Sequence, residues 1–463
     1  MPMQDNEPGK PVRHLSGLDA TCVIVGIVVG AFIFKSPSWV AGLTGSVGWM
    51  MGAWLLGGLL CLCGALCYAE LSTTYPAVGG EYVYLKRSYG SAVSFLFVWA
   101  RATVIQTGSI AAVAYVFGDY LAKLARLEHP APMLFALGAT AALTVANVIG
   151  LRAGKWTQNV LTIVKIIGLV GVVGVAVVVG RSAEAAAGAP ATAPSQGGWP
   201  GFDAMGLAMV FVLYTFGGWN EAAYVAGELR GRRRNMLWVL IGSVVLITAI
   251  YVAVNLAFLR VLGLEGMKSS GVVAADAMEQ ALGRGGAVAV TVLVAVSALG
   301  GLDGCIFTGS RAICALGADH AIFRPLGRWH ERFRTPAAAI LAQSAVAAVL
   351  IILPGLGEGF RESLGSGFDT AVEYTAPAFW LFLLLTGISV FVLRFKDRGV
   401  ERPFRVPLLP LTATVFCLMS GWMLYRSLDY RLGGAVVGVL VLLAGVPVYL
   451  LSLLAARRRD VGA

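Results

Sequence analysis

The chain has 463 residues, of which 58% are hydrophobic and only 13% charged, a composition that excludes an ordinary water-soluble enzyme and marks an integral membrane protein. Its net charge of +10 invites a nucleic-acid partner, but the basic residues gather in alternate polar segments and so mark one membrane face instead. The seven cysteines fall in or beside apolar runs; without neighbouring histidines they read as small hydrophobes, and no metal or other cofactor is expected.

Residues 1–16 are polar and carry prolines. No apolar signal peptide precedes the first span, so the amino terminus is expected to stay in the cytosol. Apolar runs of roughly 20 residues then follow one another, each able to cross a hydrocarbon core, and predict about twelve transmembrane helices. Their ranges are 18–44, 46–70, 91–122, 132–150, 157–180, 203–228, 236–262, 286–315, 336–354, 369–393, 407–426 and 432–455. Lys86 with Arg87, Arg152 with Lys155, Arg232 to Arg234, and Arg457 to Arg459 then fall on the same side as the amino terminus. That bias predicts a multi-pass protein of the cell (inner) membrane with both termini cytosolic, its other partner being membrane lipid.

Helices one to five and six to ten read as two units. An odd number of helices inverts the second unit relative to the first. The expected divisions are a cytosolic tail 1–17, a first repeat 18–180, an outer connection 181–202, a second repeat 203–395, helices eleven and twelve over 396–456, and a cytosolic tail 457–463. The connection is rich in Gly, Ala, Pro and Ser and predicts a flexible join.

Each repeat opens on a glycine-interrupted helix. Val28 to Phe34 and Tyr214 to Asn220 break long apolar stretches about half a chain apart. At membrane depth, freed backbone groups persist only where something other than lipid satisfies them, and paired breaks point to a midplane substrate site. Near Gly30 the unpaired groups are amides at the start of a half-helix, which suit a carboxylate; Gly217 and Gly218 free carbonyls, which suit an ammonium. An α-amino acid fits both ends. The competing reading is that the glycines only permit close helix packing.

Several segments resemble the amino acid-polyamine-organocation superfamily, most closely its L-type amino acid transporter branch and bacterial relatives. They are Gly30-Ala31-Phe32-Ile33-Phe34 with Pro37, Gly79-Gly80-Glu81-Tyr82, Gly108-Ser109-Ile110-Ala111-Ala112, Gly150 to Asn159, Gly217-Gly218-Trp219-Asn220 and Phe307 to Arg311. The resemblance implies an all-α membrane protein with the LeuT-like 5+5 inverted repeat and discontinuous helices one and six. It implies that the substrate carboxylate sits on the amides of Gly30, Ala31 and Phe32, and that carbonyls matching Val28, Tyr214 and Gly217 hold the amino group beside Gly218. Tyr214 resembles the family's outer gate, and Trp219 with Asn220 matches the segment that supports the second break.

One position departs from the family pattern. Phe32 stands where a glycine is expected, and its ring either trims the pocket or points into a helix interface. Lys165 lies well inside the fifth helix, where a charge costs several kcal/mol unless it finds a partner. In relatives a lysine here takes the place of a bound sodium ion, bridging helices one and eight. Ser297 and Asp303 are its expected neighbours, and the alternative is snorkelling to the inner surface. Arg101, Glu221 and Glu373 are further ionisable residues at depth, Glu221 being the acid nearest the second break. Gating or coupling is therefore expected of Tyr214, Lys165, Ser297, Asp303, Asn220 and Glu221.

These features predict a secondary transporter of small amino acids working by alternating access, independent of sodium, by exchange or proton coupling. A polyamine or cationic amine transporter is the alternative within transport, and a transporter-like membrane sensor is the alternative of another class. No catalytic cluster can be assembled from the four scattered histidines, so no enzyme is expected. The stretch from Lys123 to Met133 has no cysteine, and a disulfide-linked ancillary subunit is accordingly not expected.

Overall fold

The computed structural model describes residues 17–75, 80–128, 130–149, 155–187, 198–221, 235–330, 332–333, 335–353, 367–429 and 432–460. Its regular elements are all helical among those residues. In lipid a helix satisfies its own amides and carbonyls, which is why apolar sequence at this density folds this way.

The first predicted span is divided. Helix α1 covers Gly17–Val28, a short 3₁₀ turn follows at Phe32–Phe34, and α2 covers Ser36–Thr44 with Pro37 in its first turn. Proline costs nothing there because the first amides of a helix have no partner to lose. The second span is α3, Val47–Thr74, whose start is capped by the Ser46 side chain accepting from the Trp49 amide.

The third span is built from α5, Ser91–Ala100, and α6, Gln106–Ala125, joined by a π-helical turn at Arg101–Ile105. Before it lies a helix the hydropathy pattern did not predict: α4, Glu81–Tyr89. Helices α7, Ala131–Ile149, and α8, Lys155–Ala187, complete the first unit.

The second unit opens with α9, Gly201–Thr215, which ends in a turn and a 3₁₀ segment at Trp219–Glu221. Helix α10 runs Asn235–Ser269 and α11 Val273–Asp319. Both extend beyond the predicted spans, so the expected loop over 263–285 is largely helical. Gly263 and Gly283, at φ 67° and 68°, make the kinks, a conformation that a side chain would strain. Helices α12, Ala337–Ile352, α13, Gly367–Lys396, α14, Leu409–Asp429, and α15, Leu432–Asp460, follow.

Eight helices among the described residues are long and apolar enough to cross a membrane, and α9 and α12 are shorter apolar helices. The near half of the first span, α1, packs on α8 and α10, while the far half, α2, packs on α9 and α10. "Near" here means the membrane face from which α1 begins. The two broken segments are thereby pressed against each other at mid-depth, and α6, α11 and α13 enclose them from the other side.

Candidate substrate site

The chain turns out of α1 at Val29. The Gly30 amide donates to the Val28 carbonyl at 2.7 Å, and the first bond of the 3₁₀ turn runs from the Phe34 amide to the Ala31 carbonyl. The amides of Ala31 and Phe32 therefore precede the turn's own donors, as expected of an anion-binding end. The Gly30 amide does not join them.

Val28 differs from expectation. Its carbonyl already accepts from Gly30 and from the Tyr251 hydroxyl at 2.6 Å, which uses both lone pairs. It is also absent from the cavity wall. The same Tyr251 hydroxyl lies 3.0 Å from the Thr215 carbonyl at the end of α9. One buried phenol from α10 thus joins both breaks. A second stitch runs from Thr215 Oγ1 to Ser36 Oγ at 2.8 Å. No sequence pattern announces these contacts, because Tyr251 sits in an uninterrupted apolar helix.

At the second break the Gly217 amide donates to the Tyr214 carbonyl at 2.9 Å. That leaves the Tyr214 carbonyl one lone pair for another donor. Gly218 has φ 104°, and a Cβ there would come within 2.8 Å of the Ile27 side chain. Glycine is required on both counts.

Between the breaks lies a cavity of about 120 Å³. The breaks contribute Gly30, Ala31, Phe32, Tyr214, Gly217 and Gly218 to its wall. Arg101, Ile105 and Gln106 come from the π-helical turn and its edge, and Gly300, Gly301 and Gly304 from α11. A π-turn rotates the side chains that follow it relative to those before, and such turns recur at functional sites. The hydropathy pattern of the third span gave no sign of it.

The far side of the cavity is closed by aromatic rings. Phe32 meets Tyr214 edge-on at 5.2 Å and Phe368 at 5.6 Å, and Tyr214 meets Phe379 at 6.1 Å. Phe32 therefore both lines the cavity and packs on its neighbours. Beyond this layer Lys35 pairs with Asp119 at 2.5 Å, and Tyr120 donates to the Phe34 carbonyl at 2.6 Å. These contacts hold the far half of the first span against α6.

The near end is polar. Glu81, at the start of the unpredicted helix α4, accepts from the Tyr68 hydroxyl and from Asn220 Nδ2 at 3.0 Å. Arg101 lies 3.8 Å from its other oxygen. All of these groups are buried, so the carboxylate depends on its partners for solvation. Asn220, which follows the second break, is thus tied to the start of α4 through a partner that spacing alone could not identify. The side chain of Glu221 lies outside the described residues.

The remaining predicted residues separate. Lys165 is buried and donates to the Gly26 carbonyl at 3.1 Å, so it anchors α8 to the first broken helix and does not snorkel. Asp303 accepts from Asn147 at 2.6 Å and faces α7 instead of pairing with the lysine. Ser297 is buried, and its hydroxyl has no hydrogen-bond partner among the described residues. None of these three lines the cavity. Glu373 is buried on α13 and likewise absent from the wall.

Comparison with known proteins gives the following. Residues 15–446 match the family described as amino acid permease. The chain is 31% identical over 405 residues to the b(0,+)-type amino acid transporter 1 of Mus musculus, covering 86% of this chain and 79% of that one. It is 29% identical over 450 residues to the large neutral amino acids transporter small subunit 2 of Mus musculus, covering 96% and 82%. A crystal structure of a mutant Eremococcus coleocola manganese transporter is similar in fold, with a TM-score of 0.58, 13% identity and coverage of 97% and 98%.

Proposed function

Because the chain belongs to the amino acid permease family, within the amino acid-polyamine-organocation superfamily, and is a multi-pass transporter and not an enzyme, we propose that it carries amino acids across the membrane by alternating access. The observation that supports this most directly is that both helix breaks border one cavity, with amides of Ala31 and Phe32 on one side and the Tyr214 and Gly217 backbone on the other. Opposite ends of a zwitterion match opposite backbone polarities. Gly30, Ala31, Phe32, Tyr214, Gly217 and Gly218 are the proposed binding residues, Val28 shaping the break through its carbonyl. A cationic amine would leave the amide end without an anion, which disfavours that alternative.

On this reading transport is independent of sodium, by exchange or proton coupling. The buried Lys165 ammonium on the Gly26 carbonyl supports it, since a fixed cation beside the first break disfavours a second one. Both termini face the cytosol, and the repeats are 18–180 and 203–395. A relative is named as a small subunit; here the stretch 123–133 contains no cysteine, so no disulfide to a larger subunit is proposed there.

The test is uptake of a radiolabelled amino acid panel into proteoliposomes, with and without internal amino acid, under imposed sodium and proton gradients. We expect accumulation without sodium. A sodium requirement overturns the coupling assignment, and failure of every amino acid overturns the function.

A further inference from the structure

Helix α4 ends at a corner of the near face, beside the link that joins α13 to α14. Lys86 and Arg87 lie in its last turn. Lys396 Nζ donates to the Arg87 carbonyl at 3.0 Å, and the Arg87 guanidinium pairs with Asp397 at 3.0 Å, so the two segments are tied side by side. The link itself folds back on α13, because Arg402 donates to the Leu393, Asp397 and Val400 carbonyls. The corner is therefore a built surface.

Its cations fall into two groups. Arg394 and Arg402 serve Glu70, and Arg87 with the nearby Lys396 charge serves Asp397. Lys86, Arg398 and Arg405 are exposed and make no ion pair with a described residue. The one further acid in the link, Glu401, is also exposed, so positive charge remains in excess there.

The outer side of the same corner is apolar. Phe395 and Leu408 are 71% and 74% exposed, and Leu408 holds a positive φ of 47°, a strained conformation for a bulky side chain. Leu411, Leu418 and Tyr425 are exposed along α14 at a spacing of seven residues, which keeps them on one face of the helix. In a membrane span that face looks out on hydrocarbon, and its near end lies where hydrocarbon gives way to headgroups.

We propose that this corner binds an acidic phospholipid, with the phosphate among Lys86, Arg398 and Arg405 and the acyl chains along Phe395, Leu408 and Leu411. A soluble anion would engage the cations and leave the apolar side uncovered. A zwitterionic lipid would cover the apolar side but bring no net charge to the cations. Binding braces α4 against the link, and Glu81 at the other end of α4 lines the cavity and accepts from Asn220. The lipid thus steadies the helix at the cavity's near end, whichever solute is carried.

The experiment titrates the full chain in detergent with phosphatidylglycerol, phosphatidylcholine or inorganic phosphate, following bound lipid by native mass spectrometry and stability by thermal unfolding. Lys86→Gln/Arg398→Gln/Arg405→Gln is compared with Arg324→Gln/Arg328→Gln/Arg332→Gln, which removes as many exposed charges from another near-face segment. Lys86→Arg/Arg398→Lys/Arg405→Lys keeps the charge. Each cation beside a headgroup contributes roughly fivefold in affinity, so the first variant is expected to bind phosphatidylglycerol about a hundredfold more weakly than wild type. It also loses the rise in unfolding temperature that this lipid gives the wild type. The other two variants stay within about fivefold of wild type. If the first variant fails to fold, its three single substitutions take its place, each expected to cost about fivefold. Equal binding of phosphatidylcholine by the wild type, or equal loss in both charge-removing variants, overturns the proposal. So does stabilisation by inorganic phosphate that matches phosphatidylglycerol.

Discussion

At the scale of single residues, Tyr251 carries more than its apolar surroundings indicate. Its hydroxyl meets the Val28 and Thr215 carbonyls at 2.6 and 3.0 Å, and its ring packs on Trp54 and Phe216. Tyr251→Phe keeps the ring and removes the hydroxyl. The buried carbonyls at the two breaks then lose the one proton they share, at a cost of about 1–3 kcal/mol. The variant is expected to unfold at a lower temperature and to transport more slowly, measured by thermal unfolding and by uptake.

The cluster of Tyr75, Arg87 and Asp397 lies at the near face, outside the spans, and gives a pH dependence with a definite sign. Partial burial pushes the Asp397 carboxyl upward, but hydrogen bonds from Tyr75 at 2.9 Å and Arg87 at 3.0 Å, with the Arg87 charge, outweigh it and hold it below its ordinary value. A depressed carboxyl stabilises the fold above its unfolded pKa, and that contribution is lost as pH falls through the folded value. Burial first, and then the bond to Asp397, push Tyr75 up to about 12. Its contribution is present below the unfolded value near 10 and is lost as pH rises through about 12. Because Arg87 is exposed, Asp397→Asn should cost no more than about 1 kcal/mol at neutral pH. It should also remove this cluster's acid dependence, as read from thermal unfolding between about pH 5 and pH 2.

At the scale of elements, the last two helices are joined to the transporter core by a buried carboxylate. Glu70, near the end of α3, accepts from Arg394 Nε and Nη2 at 2.8 and 2.5 Å and from the Val406 amide at 2.7 Å. Arg402 approaches to 3.6 Å. The link between α13 and α14 is thereby fixed against the second span. Glu70→Ala leaves two arginines without this carboxylate. The expected loss is about 3 kcal/mol of stability, visible as a lower unfolding temperature and greater protease cleavage between residues 397 and 408.

The glycines of the third span behave differently from those of the eighth. Gly108→Ala drives a Cβ into Thr375 and is expected to destabilise by about 1–3 kcal/mol through overpacking, whereas Gly301 and Gly304 of α11 have room for a methyl group. Thermal unfolding of Gly108→Ala and Gly304→Ala side by side checks this contrast.

At the scale of the whole molecule, the far side of the cavity is shut by the aromatic layer and by the Lys35 to Asp119 pair. Asp119→Asn weakens that pair and should shift the population toward far-open states. In that background, Phe368→Cys should react faster with a membrane-impermeant thiol reagent applied from the far side than the same cysteine does with Asp119 intact. An unchanged rate would show that the pair does not hold this side closed.

The sequence by itself determined the long apolar helices and the two interruptions. Apolar runs of membrane length and glycines at matched places are local properties, and local patterns survive in one dimension. It also singled out Tyr214, Gly217, Gly218 and Phe32, all of which meet at the cavity. What it lacked were partners. Lys165 reads as a buried charge in sequence, but only packing put it on the Gly26 carbonyl and turned Asp303 toward Asn147. Short amphipathic α4 escaped the hydropathy scale because Glu81 needs Tyr68, Asn220 and Arg101, from three other segments, to be stable in the interior. The π-turn at Arg101 became meaningful only once a cavity lay against it. A residue's chemistry belongs to the chain; solvation and free space around it depend on distant segments brought into contact.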